Sequence, residues 1–195
     1  MEKDWWMAMF IDLTLKVTPE MVEKAQGNSN KALAGHIGTH FDVMDKEFPL
    51  DYLERDGIVF DVIEAMDREI CESDIDLGMV ENGMFVAFCT GFVDKLGYGG
   101  MEYFSEHPQL SYSLIEALVE KGISIIGIDF AGVRRGKEHT PKDQYCADRG
   151  IFIVENLCNL DSILKGRPCG EFVANTYPVK YSGMTGLPCR VVAKI

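Results

Sequence analysis

The segment His36-Ile-Gly-Thr-His40-Phe-Asp42 constrains this chain most, because it puts two of the four histidines and an aspartate within seven residues. Imidazole nitrogen and carboxylate oxygen together suit a borderline divalent ion such as zinc or manganese, and three or four protein ligands suffice for a site open to substrate. Such a site restricts the backbone. On a helix His36 and His40 would share a face, but Asp42 would point away from His36, and Gly38-Thr39 is poor helix interior. On a strand, positions 36, 40 and 42 face one side because side chains alternate. Residues four apart on a straight strand nevertheless stand roughly 13 Å apart, too far for two imidazoles to share an ion. The segment is therefore expected to bend at Gly38 and continue as a strand through His40 and Asp42. The plainer alternative makes both histidines polar residues near a turn, each hydrogen-bonded to a neighbour.

With 195 residues, 47% of them hydrophobic and 26% charged, the chain suits one α/β domain spanning 1–195 that buries its core without staples. A net charge of -12 argues against a nucleic-acid partner, whose phosphates need a basic face. There is no run of eighteen apolar residues and no basic, apolar leader, so neither a membrane nor export is expected and the cytoplasm is the expected compartment. The six cysteines form no C-x-x-C pair and fit reduced thiols. The one basic cluster, Arg134-Arg135-Gly136-Lys137, reads as a solvated loop.

Strand and helix signals alternate. Strands are predicted at Met7 to Leu13, in the histidine segment, at Gly57 to Val62, Gly83 to Thr90, Ile123 to Asp129 and Ile151 to Val154, and in the tail from Glu171 to Ile195. Helices are predicted to begin at Thr18-Pro19-Glu20, to run from Ser111 to Lys121 with Leu114, Ile115, Leu118 and Val119 on one face, and to run from Lys142 to Arg149. Gln26 to Asn30 reads as a polar loop. Gly91 to Leu110, which includes His107, reads as one long irregular loop of the kind that often carries function. Glu155 closes an apolar strand, where an unpaired charge would be costly and needs a partner.

The histidine segment resembles the signature of the cyclase family of metal-dependent hydrolases, which includes bacterial-type kynurenine formamidases and isatin hydrolases. The resemblance continues through Phe10-Ile-Asp-Leu-Thr14, Gly127-Ile-Asp129, Gly150-Ile-Phe-Ile-Val-Glu-Asn-Leu157 and Gly186-Leu-Pro-Cys-Arg-Val-Val-Ala193. It implies a swivelling β/β/α architecture with a mixed sheet and flanking helices. It also implies one divalent ion, zinc or manganese, held by His36, His40, Asp42 and Glu155, and arylformamidase-like hydrolysis of amides or cyclic amides and esters in small molecules. Asp129 ends a strand comparable to that of Glu155 and is expected either to join the site or, equally, to hold the backbone around it. Subunits of the family associate, so Trp5-Trp6 suggests a homodimer or homotetramer.

The departures from the pattern bear on mechanism. Formamidase-type members carry a second metal on histidines at the positions that here are Lys46 and Asp143, and their Ala-Pro pair is here Val43-Met44. The second site is thus expected to be lost or rebuilt. His139 lies four residues from the expected position, but Pro141 argues against a simple helical slide. Lys46 is expected to act as a built-in cation or to stabilise an oxyanion, Asp143 to take a proton from water, and His107 to reach substrate. The alternative to a hydrolase is a non-catalytic metal- or ligand-binding protein of the same fold. A structural protein without metal would leave the 36–42 cluster unexplained.

Overall fold

The structure, a computed structural model, describes residues 9–25 and 35–195. Its strands are β1 (Phe10–Asp12), β2 (His40–Asp42), β3 (Glu54–Asp61), β4 (Glu69–Ile70), β5 (Phe85–Cys89), β6 (Gln109–Leu110), β7 (Ile125–Ile128), β8 (Phe152–Glu155), β9 (Cys169–Pro178) and β10 (Gly186–Lys194). The helices are α1 (Pro19–Ala25), α2 (Phe92–Leu96), α3 (Met101–Ser105), α4 (Tyr112–Lys121), α5 (His139–Ala147) and α6 (Asp161–Leu164).

Eight strands form a mixed sheet in the order β1-β10-β2-β8-β7-β5-β3-β9, and β9 pairs back onto β10, so the sheet closes on itself. The neighbours β3, β5, β7 and β8 run parallel, while β2, β9 and β10 join antiparallel. Alternation along the strands divides the apolar residues between two cores. Phe41, Val59, Phe85, Val154, Phe172 and Ala174 fill the inside of the closed sheet. Ile58, Phe60, Val86, Phe88, Ile126 and Ile128 face outward and pack against Leu114, Ile115 and Leu118 of α4. Each buried Leu or Ile contributes about 1.5–3 kcal/mol. Ser111 starts α4 by accepting the Leu114 N–H at 3.1 Å. The expected α/β class and mixed sheet with flanking helices are what is observed.

Three expectations need correction. The stretch 91–110 is not one loop: it contains α2, α3 and β6. Helix α5 begins at His139, three residues before the predicted start. Pro141 sits in its first turn, where an N–H has no intrahelical partner to lose. Arg134 is buried instead of solvated, with its guanidinium bonded to Glu69, Glu138 and the Leu110 carbonyl. All six cysteines are unpaired. Among the described residues no helix is long and apolar enough to cross a membrane. Trp5, Trp6, Met7 and the predicted loop at 26–30 lie outside the described residues.

Candidate metal centre

The expected bend is at Gly38, whose φ of +69° lies in the left-handed region that favours glycine. A Cβ there would come within 2.5 Å of Val17. The chain then enters β2, where His40 and Asp42 share one face and Phe41 enters the core behind them. On the neighbouring strand Glu155 is the register partner of His40, so its carboxylate joins the same face. Folding back at Gly38 brings His36 Nδ1 to 3.0 Å from both His40 Nε2 and Asp42 Oδ1. His40 Nε2 also stands 3.6 Å from Asp42 Oδ1 and 3.5 Å from Glu155 Oε2.

The outer nitrogens are fixed. His40 Nδ1–H donates to the Gly38 carbonyl at 2.9 Å; because a carbonyl can only accept, this leaves the Nε2 lone pair of the neutral ring for the cluster. His36 Nε2 lies 3.0 Å from the Thr185 hydroxyl, which leaves Nδ1 facing inward. The Gly38 peptide is itself clamped: its N–H donates to Tyr98 Oη at 3.0 Å, and its carbonyl accepts a second bond from Asn156 Nδ2 at 2.9 Å. Asn156 Oδ1 in turn accepts the Tyr103 hydroxyl at 2.7 Å, and its main-chain carbonyl accepts the Thr39 hydroxyl at 2.8 Å. Sequence reasoning missed Tyr98, Tyr103, Asn156 and Thr185. The two tyrosines lie in the stretch read as a loop, and only the fold brings them to Gly38 and Asn156.

Helix α5 adds a second group. His139 and Asp143, one turn apart, face the same side, and His139 Nε2 lies 3.0 Å from Asp143 Oδ2 and 3.4 Å from Glu155 Oε1. The latter contact lacks hydrogen-bonding geometry, since Glu155 Oε1 has no hydrogen-bond partner. Gly132 makes room for the ring, as a Cβ there would stand 2.7 Å from it.

Charges in this confined space shift one another strongly. Burial pulls the His40 imidazole down, but Asp42 and Glu155 outweigh it and push the ring up to about 9. Burial likewise opposes protonation of His139, yet Asp143 and Glu155 hold it at about 11. Asp42 resists its own burial and stays well below the usual carboxylate range because His40 and His36 face it. Burial raises Asp143 to about 7, and the repulsion of Asp42 and Glu155 offsets much of the attraction of His139.

The donor set fits a divalent cation. Ligand atoms around a tetrahedral ion with bonds of ~2.1 Å stand roughly 3.4 Å apart, which the 3.0–3.6 Å separations among His36, His40, Asp42 and Glu155 bracket. Asp42 Oδ2, Asp143 Oδ1 and Glu155 Oε1 are buried carboxylate oxygens without hydrogen-bond partners. An unpaired buried oxygen of this kind costs about 1–3 kcal/mol or more, which a cation would remove.

The sequence profile of the cyclase family matches residues 11–134. The chain belongs to the cyclase family. A solved structure described as a potential metal-dependent hydrolase with cyclase activity is 23% identical, with a TM-score of 0.73, covering 96% of this chain and 98% of its own. Isatin hydrolase A from Labrenzia aggregata, bound to benzyl benzoate, is 19% identical at a TM-score of 0.72, over 96% of this chain and 94% of its own. Isatin hydrolase A from Ralstonia solanacearum is 17% identical at a TM-score of 0.70, over 96% and 92%. At these identities it is the fold that is shared. No curated protein matches the sequence.

Within this cyclase-family fold the other sequence candidates separate. Lys46 does not join the cluster: its ammonium pairs with Asp45 at 3.0 Å and with Asp148, at the C-terminal end of α5, at 2.7 Å. The expected built-in cation or oxyanion donor is therefore not there, because two surface carboxylates outcompete the buried ones for a strongly hydrated ammonium. His107 is buried, not presented to substrate. Its Nδ1–H donates to the Pro108 carbonyl at 2.7 Å, its ring stacks on Phe130, and burial pushes it down to about 4. Asp129 accepts the Thr90 hydroxyl and the N–H groups of Thr90 and Gly91, fixing the turn after β5, while burial raises its carboxyl to about 6. Asp143 does lie within the cluster.

Proposed function

We propose that this cyclase-family chain is a metal-dependent hydrolase of amide, cyclic amide or cyclic ester bonds in small molecules, arylformamidase-like in its substrate class. His36, His40, Asp42 and Glu155 are its first ligand set, and zinc or manganese the ion. The observation that carries this reading is the convergence of His36 Nδ1, His40 Nε2 and Asp42 Oδ1 opposite Glu155 Oε2, with each outer imidazole nitrogen engaged elsewhere. When bound, a divalent ion supplies a nucleophilic water near neutral pH and polarises the carbonyl under attack.

The protein's own part is to hold geometry. Tyr98 and Asn156 fix the Gly38 peptide, that peptide orients His40, and the β2–β8 register sets Glu155 opposite it. The isatin hydrolases of like fold open a cyclic amide by name, which supports that substrate class for this chain. A homodimer or homotetramer is the proposed assembly.

A screen of N-formyl arylamines, isatin-like cyclic amides, cyclic imides and lactones with added zinc or manganese tests the proposal. Turnover that chelation and His40→Ala both abolish is the expected result. Metal binding without turnover of any of these would mark a binding protein of the same fold.

A further inference from the structure

Resting on that reading, we infer that the centre holds a second divalent cation, in a position built from Asp42, His139, Asp143 and Glu155. The histidines that formamidase-type members use at positions 46 and 143 are replaced by a different ligand set. The second imidazole comes from one helical turn earlier, and a carboxylate stands where a histidine is expected.

Geometry carries the argument. Ligand atoms of Asp42, His139 and Asp143 all lie within 4.8 Å of one another, as do those of His36, His40 and Asp42, and Asp42 belongs to both groups. Glu155 faces both: Oε2 lies 3.5 Å from His40 Nε2, and Oε1 lies 3.4 Å from His139 Nε2. The two shared carboxylates thus stand between two imidazole groups.

The unpaired oxygens point the same way. Asp143 Oδ1 and Asp42 Oδ2 belong to side chains only 2% exposed and have no hydrogen-bond partner, and Glu155 Oε1 shares that condition. A first cation among His36, His40, Asp42 and Glu155 leaves Asp143 Oδ1 unserved. Gly132 supports the site sterically, since a side chain there would displace the His139 ring. In this role Asp143 is a ligand and not the proton acceptor that the sequence suggests.

The second position has one imidazole among carboxylates, a donor set suited to manganese, so Mn²⁺ is the probe. Chelator-treated full-length protein is titrated with Mn²⁺ and the bound ions counted by native mass spectrometry. Electron paramagnetic resonance reports whether two ions are spin-coupled. The wild type should take two ions per chain with a coupled spectrum. His139→Ala and Asp143→Asn should each take one, with an uncoupled spectrum and unchanged circular dichroism. One ion per chain in the wild type, or two in both variants, would overturn the inference while leaving the hydrolase proposal standing. No bound ion in the wild type would overturn both. If His139→Ala fails to fold, the near-isosteric Asp143→Asn decides.

Discussion

Asn156 anchors the candidate metal centre from outside its ligand set. It sits at φ +58° directly after Glu155, and its side chain joins the Gly38 carbonyl to the Tyr103 hydroxyl. Removing an outer partner of a metal-binding histidine lowers metal affinity by roughly 10–100-fold. Asn156→Ala should do so while keeping the ligands, and metal titration of the variant against wild type checks it; equal affinity would show that Gly38 is held without it. The ligands themselves were legible because His36, His40 and Asp42 lie within one short segment, where chemistry and strand geometry can be weighed together. Asn156 was not, because its function lies in a bond to a residue 118 positions away. His107 yields a pH prediction. Burial lowers its proton affinity to about 4 from an ordinary 6.5. Its neutral form therefore contributes stability that is present above about pH 6.5 and lost as pH falls through about 4, on the order of 3 kcal/mol in total. Denaturant unfolding across that range should show a stability slope that flattens by about one proton in His107→Gln. An unchanged slope would place the acid sensitivity elsewhere.

Helix α5 decides how the second half of the centre is built. Its start at His139 puts His139 and Asp143 on one face, with Cys146 and Ala147 buried further along. Apolar periodicity could not reveal this start, because two of the residues on the inward face are polar and Pro141 looks like a boundary. The proline is harmless in a first turn, where no intrahelical bond is lost. Buried Arg134 fixes the approach by bonding Glu138, the residue before the helix, together with Glu69 and the Leu110 carbonyl. Gly132 has φ +98°, and a Cβ on it would meet the His139 ring at 2.7 Å and the Arg134 carbonyl at 2.9 Å. Gly132→Ala should therefore destabilise the protein by about 1–3 kcal/mol. It should also weaken metal binding more at the α5 side than at His36 and His40. Thermal melts with and without Mn²⁺ check both, and a variant as stable as wild type with full occupancy would contradict the steric argument. The stretch 91–110 was misread for a related reason: α2 and α3 are each five residues long, too short for periodicity to register.

At the scale of the molecule, closure of the sheet is what makes a centre from distant segments. Strand β10 pairs with β1, β2 and β9, and β2 lies between β10 and β8, so residues near positions 40 and 155 become neighbours. Alternating strand and helix signals made the α/β class readable, but nothing local encodes that β9 returns to β10. That pairing rests on long-range packing of residues such as Phe172, Ala174 and Val191. The proposed assembly is tested by sedimentation at micromolar concentration, where a species of twice or four times the chain mass is expected and a one-chain species would refute a stable interface. The claim on which the rest depends is that the 36–42 cluster and Glu155 hold a divalent metal. Elemental analysis of protein purified without added metal or chelator tests it most directly. The account predicts at least about one zinc or manganese ion per chain in the wild type, and a clear loss in His40→Ala. Natively purified wild type with only trace metal, or occupancy unchanged by His40→Ala, would contradict it.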